Sequence, residues 1–299
     1  MALRILVTDD IDPEGVALLT AVPEFQVDVV STLPPAELVK RIGDYDAIVG
    51  RSATRISEEL LEHAKRLKII GRAGVGVDNV AVAKATELGI AVINAPAGNT
   101  IAVVELFFGM LIGLLRQIPQ AAHSMSEGRW DRSKLMGNEV KGRTLGIVGV
   151  GRIGTEVAKR AHAFGMEVAG FDPYISDDRF AALRVRRFAE LAELLQAADV
   201  VTVHTPLNDE TRGMIGEREL RQLKKGSIVV NMARGGIVDD AALLERLRSG
   251  HIRGAVLDVF SNEPLPADHP LRKAPNVLLT PHMGASTYEA QRNVAVDVS

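Results

Sequence analysis

Short apolar runs alternate with longer amphipathic stretches over most of this sequence. In the first third the apolar runs fall at residues 5–8, 27–30, 47–49, 69–71 and 91–93, and they are rich in Val and Ile. Runs of that length and composition predict buried strands. Between them, residues 13–21, 34–42, 57–64 and 80–88 place apolar side chains at helical spacing. Strand and helix in alternation predict a parallel sheet covered by helices, in an α/β domain of its own.

Pro96-Ala97-Gly98 interrupts that pattern. A helical segment follows from residue 99 to about 116, and a second amphipathic stretch, 119–127, leads into the polar run Gly128-Arg129-Trp130-Asp131-Arg132-Ser133-Lys134. Trp130 is the only tryptophan. On a polar run it is either an anchor against a partner subunit or a plug in the local core. From Thr144 the alternation resumes, with strands predicted at 145–148, 168–171, 200–203, 228–231, 255–258 and 277–279. Ser286 and Glu289 have capping-box spacing, which predicts a helix from about Thr287. The chain stops at Ser299 inside that helix without a C-cap signal, which predicts further sequence beyond it.

The strand at 145–148 opens directly onto Gly149-Val150-Gly151-Arg152-Ile153-Gly154. Strand, glycine turn and helix in that order form a grip for the pyrophosphate of a dinucleotide. Gly149 permits the turn, Gly151 lets the backbone approach the phosphates, and Gly154 lets helix and strand pack closely. The helix N-terminus adds free N–H groups and the positive end of its dipole. The next strand ends at Asp172, about 20 residues beyond Gly151, where an acid binds the ribose. A carboxylate there accepts hydrogen bonds from the ribose hydroxyls of NAD and repels a 2′-phosphate. Pro173 and Tyr174 follow rather than an arginine, so NAD is expected over NADP. The predicted fold class is α/β, with a Rossmann domain built on this fingerprint.

Composition narrows the alternatives. The chain has 299 residues, 46% hydrophobic and 24% charged, which is ordinary for a globular protein and suggests two domains. A net charge of −3 gives no global reason to expect a nucleic-acid partner. The absence of cysteine excludes disulfides, thiolate nucleophiles and Cys-ligated zinc, and no metal site is expected. The start of the chain enters a strand without an apolar signal region, and the run at 101–115 is too short to span a bilayer. No membrane partner and a cytoplasmic location are the resulting expectations.

Three later segments carry candidate chemistry. Arg234 lies in Asn231-Met232-Ala233-Arg234-Gly235-Gly236, just past a predicted strand, and its planar fork suits a carboxylate. Glu263 follows the strand that ends near Asp258, and His282 follows the last strand in Thr280-Pro281-His282-Met283-Gly284. Parallel strands bind ligands at their carboxyl ends, so the three would converge on one cleft. Oxidising a secondary alcohol with NAD needs a base for the hydroxyl proton, and histidine titrates in the right range. A carboxylate would fix the histidine tautomer, and the arginine would orient a 2-hydroxy acid. Spacing alone leaves open a turn histidine, a solvated loop glutamate and a surface-paired arginine.

The sequence resembles the D-isomer-specific 2-hydroxyacid dehydrogenase family along its length. The resemblance is carried by Gly71-Arg72-Ala73-Gly74-Val75-Gly76-Val77-Asp78-Asn79, the 149–154 fingerprint, Val203-His204-Thr205-Pro206-Leu207, Ala233-Arg234-Gly235-Gly236, Leu257-Asp258-Val259-Phe260 and Pro281-His282. It implies that Arg234 binds and polarises the substrate, that Glu263 pairs with the base, and that His282 is the acid/base. It carries cofactor contacts onto Arg152, Ile153, Asp172, Thr205, Ala233, Asp258 and Gly284. It implies two doubly wound parallel-sheet domains: a discontinuous, smaller flavodoxin-like substrate domain (1–95 with 283–299) and a Rossmann NAD-binding domain (96–282). An arm at about 119–143 resembles the family's dimer interface, implying a homodimer or homotetramer. The family often has threonine where Val75 stands; a backbone contact survives that change and a hydroxyl contact does not.

The resemblance also turns the basic segment Arg51-Ser52-Ala53-Thr54-Arg55 toward the substrate. Arg51 and Arg55 would supply charge-assisted bonds to a phosphate and Ser52 a neutral donor, with Gly74 and Arg132 as further substrate contacts. The implied partner is a small phosphorylated 2-hydroxy acid. Alternatives are another 2-hydroxy acid, such as glycerate or hydroxypyruvate, and an NADH-sensing scaffold of the corepressor kind. His63, His123, His162, His251 and His269 are expected to be ordinary surface residues, and His204 a packing residue.

Overall fold

The computed structural model describes residues 2–299. It divides into two compact units, Val103–Gly284 and the remainder, which runs to Ala102 and resumes at Ala285.

The remainder is a five-stranded sheet with strands β1 (Leu3–Val7), β2 (Phe25–Val29), β3 (Ala47–Gly50), β4 (Ile69–Arg72) and β5 (Ala91–Asn94). All pairings are parallel and the order is β2-β1-β3-β4-β5, the flavodoxin-like doubly wound arrangement. The chain moves one way from β1 to β2 and the other way from β3 onward. The carboxyl ends of β1 and β3 therefore form the switch point, where such sheets bind ligands. Strand alternation feeds two cores: Leu6, Ile48 and Ile70 on one face, Ile5, Val7 and Val49 on the other.

Helix Tyr288–Val298 completes the second of these cores with Val294 and Ala295. It packs on helix Pro13–Thr20 through Gly15, where any Cβ would stand 2.8 Å from the Ala295 backbone. Its N-cap is Thr287, whose hydroxyl accepts from the Ala290 N–H at 3.1 Å. The Ser286 capping box read from the sequence is therefore one residue early, because the Thr287 oxygen is the one that reaches the third helical N–H.

The second unit holds seven parallel strands: β6 (Thr144–Val148), β7 (Glu167–Phe171), β8 (Arg186–Arg187), β9 (Val200–Val203), β10 (Ser227–Asn231), β11 (Ile252–Leu257) and β12 (Val277–Leu279). Their order is β12-β11-β10-β9-β6-β7-β8, the Rossmann order with one added strand. The pattern of apolar runs predicted six; it passed over β8 because that strand is two exposed arginines at the sheet edge. The central strands are buried on both faces and read as continuous apolar runs. Helix Thr100–Leu115 supplies Phe107, Leu111 and their neighbours to one face of this sheet. Among the described residues no single helix is long and apolar enough to cross a membrane. Trp130 is 78% exposed, which removes its reading as a local core plug.

Candidate active site

The dinucleotide grip forms at the carboxyl end of β6. Gly149 has φ +90°, and a Cβ there would stand 2.8 Å from the His204 carbonyl oxygen. Gly151 is the N-cap of helix Arg152–Ala163, with no side chain capping it and open space where a Cβ would lie. Gly154 brings that helix against the strand: a Cβ would come within 2.2 Å of the Gly149 oxygen. The helix therefore presents uncapped N–H groups to an approachable anion. Arg152 is exposed and Ile153 half-buried, at the first two helical positions.

Asp172 is tied into this turn. Its Oδ2 accepts from the Val150 N–H at 2.8 Å and its Oδ1 from the Tyr174 N–H at 2.9 Å. Each oxygen keeps an acceptor site for a ribose hydroxyl. Thr205 Oγ1 is buried with no partner among the described residues. A fixed ribose acceptor, a bare helix N-terminus and an orphaned hydroxyl together fit NAD.

On the other strands the chain builds a histidine–glutamate pair. His282 follows β12 with φ +51°, and its Nδ1 lies 2.6 Å from Glu263 Oε2. The other Glu263 oxygen accepts from the Phe260 N–H at 2.9 Å, so the carboxylate is oriented before it meets the imidazole. With Nδ1–H donated to Glu263, Nε2 is left as the acceptor.

The turn that carries His282 is held by Asp258, 1% exposed at the end of β11. Its Oδ1 accepts from Thr280 Oγ1 at 2.6 Å and from the Met283 N–H at 2.9 Å. Its Oδ2 accepts from the Gly284 N–H at 2.8 Å. Asp258 and Gly284, which the resemblance carries over as cofactor contacts, here bond each other.

Arg234 sits in the turn after β10. Buried Asn231 closes that turn, accepting from the Ala233 N–H at 3.1 Å and donating to the Arg234 carbonyl at 2.9 Å. Gly235 lies on the 260–261 backbone, where a Cβ would be 1.9 Å from the Phe260 oxygen. The arginine turn and the glutamate segment are thus packed together without a side chain between them. One Arg234 amino group donates to the Ala233 carbonyl at 2.6 Å. The sequence reading assigned no role to Asn231 or Thr280; a polar residue at the end of a buried strand was the available signal for the first.

In the first unit, the 51–55 segment leaves the end of β3. Ser52 and Arg55 are exposed, and the half-buried Arg51 donates to Gln291 Oε1 at 3.1 Å. Gly74 is covered by a neighbour that the sequence reading passed over: Arg72 Nη1 would be 1.4 Å from a Cβ there. Arg132 stands exposed on the single turn Arg132–Lys134, in the second unit, with no hydrogen bond or ion pair of its side chain among the described residues. His204 is half-buried with its Nδ1 enclosed, its Nε2 3.0 Å from Thr202 Oγ1 and its ring edge-on to Phe107, as a packing residue would be. Burial lowers its pKa to about 4.

Residues 108–284 match the family model described as D-isomer specific 2-hydroxyacid dehydrogenase, NAD binding domain. A D-3-phosphoglycerate dehydrogenase of Methanocaldococcus jannaschii is 47% identical over 290 residues, covering 97% of this chain and 55% of its own length. The chain spans about half the length of the curated relatives it matches. Among solved structures, the TT0316 protein from Thermus thermophilus superposes with a TM-score of 0.89 at 38% identity, over 98% of this chain and 94% of that one. A Staphylococcus aureus NAD-dependent formate dehydrogenase in complex with NAD gives 0.85 at 32%, over 98% and 92%. The second unit is an NAD-binding domain, and the chain belongs to the D-isomer-specific 2-hydroxyacid dehydrogenase family.

Proposed function

We propose that this chain oxidises D-3-phosphoglycerate to 3-phosphohydroxypyruvate with NAD, a step that feeds serine biosynthesis. The observation that carries the reading is the oriented His282–Glu263 pair on the strand end next to the Arg234 turn, in a chain so similar to D-3-phosphoglycerate dehydrogenases. NAD, when bound, supplies a hydride acceptor. Arg234 orients the substrate carboxylate with its planar fork. His282 Nε2 takes the hydroxyl proton as the carbon is oxidised. Glu263, on the opposite ring nitrogen, stabilises the imidazolium that results.

Arg51, Ser52 and Arg55 are the phosphate contacts in this reading, with Gly74 and Arg132 as weaker candidates. A basic segment with an exposed arginine favours a phosphorylated acid over glycerate or lactate. A homodimer or homotetramer formed through the 119–143 arm, and a cytoplasmic setting, belong to the same proposal; the exposed Met125, Trp130 and Met136 on that arm support the assembly.

The test is NADH formation at alkaline pH with D-3-phosphoglycerate, D-glycerate and D-lactate in parallel. Strong preference for the phosphorylated acid is expected. Equal or reversed preference would overturn the substrate while keeping the dehydrogenase. NADH binding without turnover of any of them would favour the sensing scaffold.

A further inference from the structure

We infer that Asp9 and Asn79 are positioning residues that fix the 51–55 segment as a preset anion-recognition loop. The inference rests on the proposed substrate and deepens it. Asp9 lies two residues beyond β1 and the loop follows β3, so the two meet at the switch point of the first unit's sheet. Gly50 permits the approach, since a Cβ there would stand 2.7 Å from Thr8 Oγ1.

Asp9 is 6% exposed with φ +66°, a conformation uncommon outside glycine that aspartate tolerates better than most side chains. Its Oδ2 accepts from the N–H groups of Arg51 and Thr54, both at 2.8 Å. Its Oδ1 accepts from Thr54 Oγ1 at 2.6 Å and Thr32 Oγ1 at 2.7 Å. Asn79 holds the opposite polarity of the same two residues, donating Nδ2 to the carbonyls of Arg51 at 2.9 Å and Thr54 at 2.7 Å. Donors and acceptors at positions 51 and 54 are thus both consumed. The N–H groups of Ser52, Ala53 and Arg55 find no acceptor among the described residues and remain with the Arg55 and Ser52 side chains on the exposed bend. A backbone fixed at two points, with the amides between them free, suits an oxyanion.

A surface bend of this length ordinarily stays mobile. The entropy of ordering it is met by the protein before any ligand arrives, which favours binding of the ligand that the loop fits. Asp9 is buried beneath the loop, so its charge is spent on the two N–H groups and two hydroxyls.

The test compares wild type with Asp9→Ala, Asp9→Asn and Asn79→Ala, by hydrogen exchange of the loop amides and by steady-state kinetics with D-3-phosphoglycerate and D-glycerate. Asn79→Ala removes no buried charge, so it keeps the question answerable if Asp9→Ala fails to fold. Expected are lost protection at the Arg51 and Thr54 amides and a KM for the phosphorylated acid raised about tenfold or more in both alanine variants. KM for glycerate, kcat and NADH binding should stay within about twofold, and Asp9→Asn should recover most of the loss, since an amide oxygen can still accept both N–H groups. Unchanged exchange overturns the clamp. Lost protection with equal KM changes for both acids overturns its role in specificity. A wild type that does not prefer the phosphorylated acid overturns the proposed substrate and the specificity role, and exchange in the variants then decides the clamp by itself.

Discussion

His282 Nδ1 and Glu263 Oε2 stand 2.6 Å apart, while the second Glu263 oxygen is held by the Phe260 N–H. The pair is therefore aligned through the backbone and leaves one imidazole nitrogen free for a proton. His282→Ala should lower kcat by roughly 10²–10⁴-fold with NADH affinity nearly unchanged. Glu263→Gln should lower it less, because a neutral partner stabilises the imidazolium poorly. NADH formation over a pH series, with fluorescence titration of NADH, reads both; near-normal turnover of the alanine variant would remove His282 from the chemistry.

Asp172 holds the glycine turn through its bond to the Val150 N–H, and in the proposed reading it also binds the ribose. Asp172→Ala should cut kcat/KM for NAD by about tenfold or more, the cost of lost charge-assisted bonds, and should raise the NADP-to-NAD ratio. Kinetics with the two cofactors decide it. An unchanged ratio would mean that this carboxylate does not select against the 2′-phosphate.

Gly235 has no room for a methyl group, since the Phe260 oxygen would lie 1.9 Å from it. Gly235→Ala should drive the arginine turn off the glutamate segment. A displacement of about 1 Å at such a site costs on the order of 100-fold in rate. The measurement is kcat/KM together with Tm. Wild-type activity in this variant would contradict the packing described here.

His204 gives the stability a pH dependence whose sign follows from burial. Its folded pKa, about 4, lies below the ordinary value of 6.5, so the unfolded chain binds the proton more readily. The contribution is complete above about pH 6.5 and is lost as pH falls toward 4, amounting to about 3 kcal/mol. Urea unfolding at pH 7 and pH 4.5 should show that loss. His204→Phe should flatten the acid limb; an unchanged limb would place the titration elsewhere.

Much of this architecture was legible in the sequence because it is local. Each short Val- and Ile-rich run became a strand, the glycine fingerprint lay between its strand and helix, and the strand-end Arg234, Glu263 and His282 could be picked out one by one. What escaped the reading depends on partners far away in the chain or on the exact path of a turn. Asp9 gains its meaning from amides at 51 and 54, Asp258 from the turn at 280–284, and Asn231 from a closure invisible without φ and ψ. Strand β8 escaped for a different reason: an edge strand of two arginines has no apolar face to signal it.

The helix Tyr288–Val298 adds a consequence for biosynthesis. The NAD-binding unit is one uninterrupted stretch, Val103–Gly284, and all seven of its strands are available before Ala285 leaves the ribosome. The sheet of the first unit is made earlier yet waits for the helix Tyr288–Val298 to cover Ile5, Val7 and Val49. While the whole NAD-binding unit is being made, then, the nascent chain carries an uncovered apolar sheet face ahead of it, and that face closes only after the unit is complete.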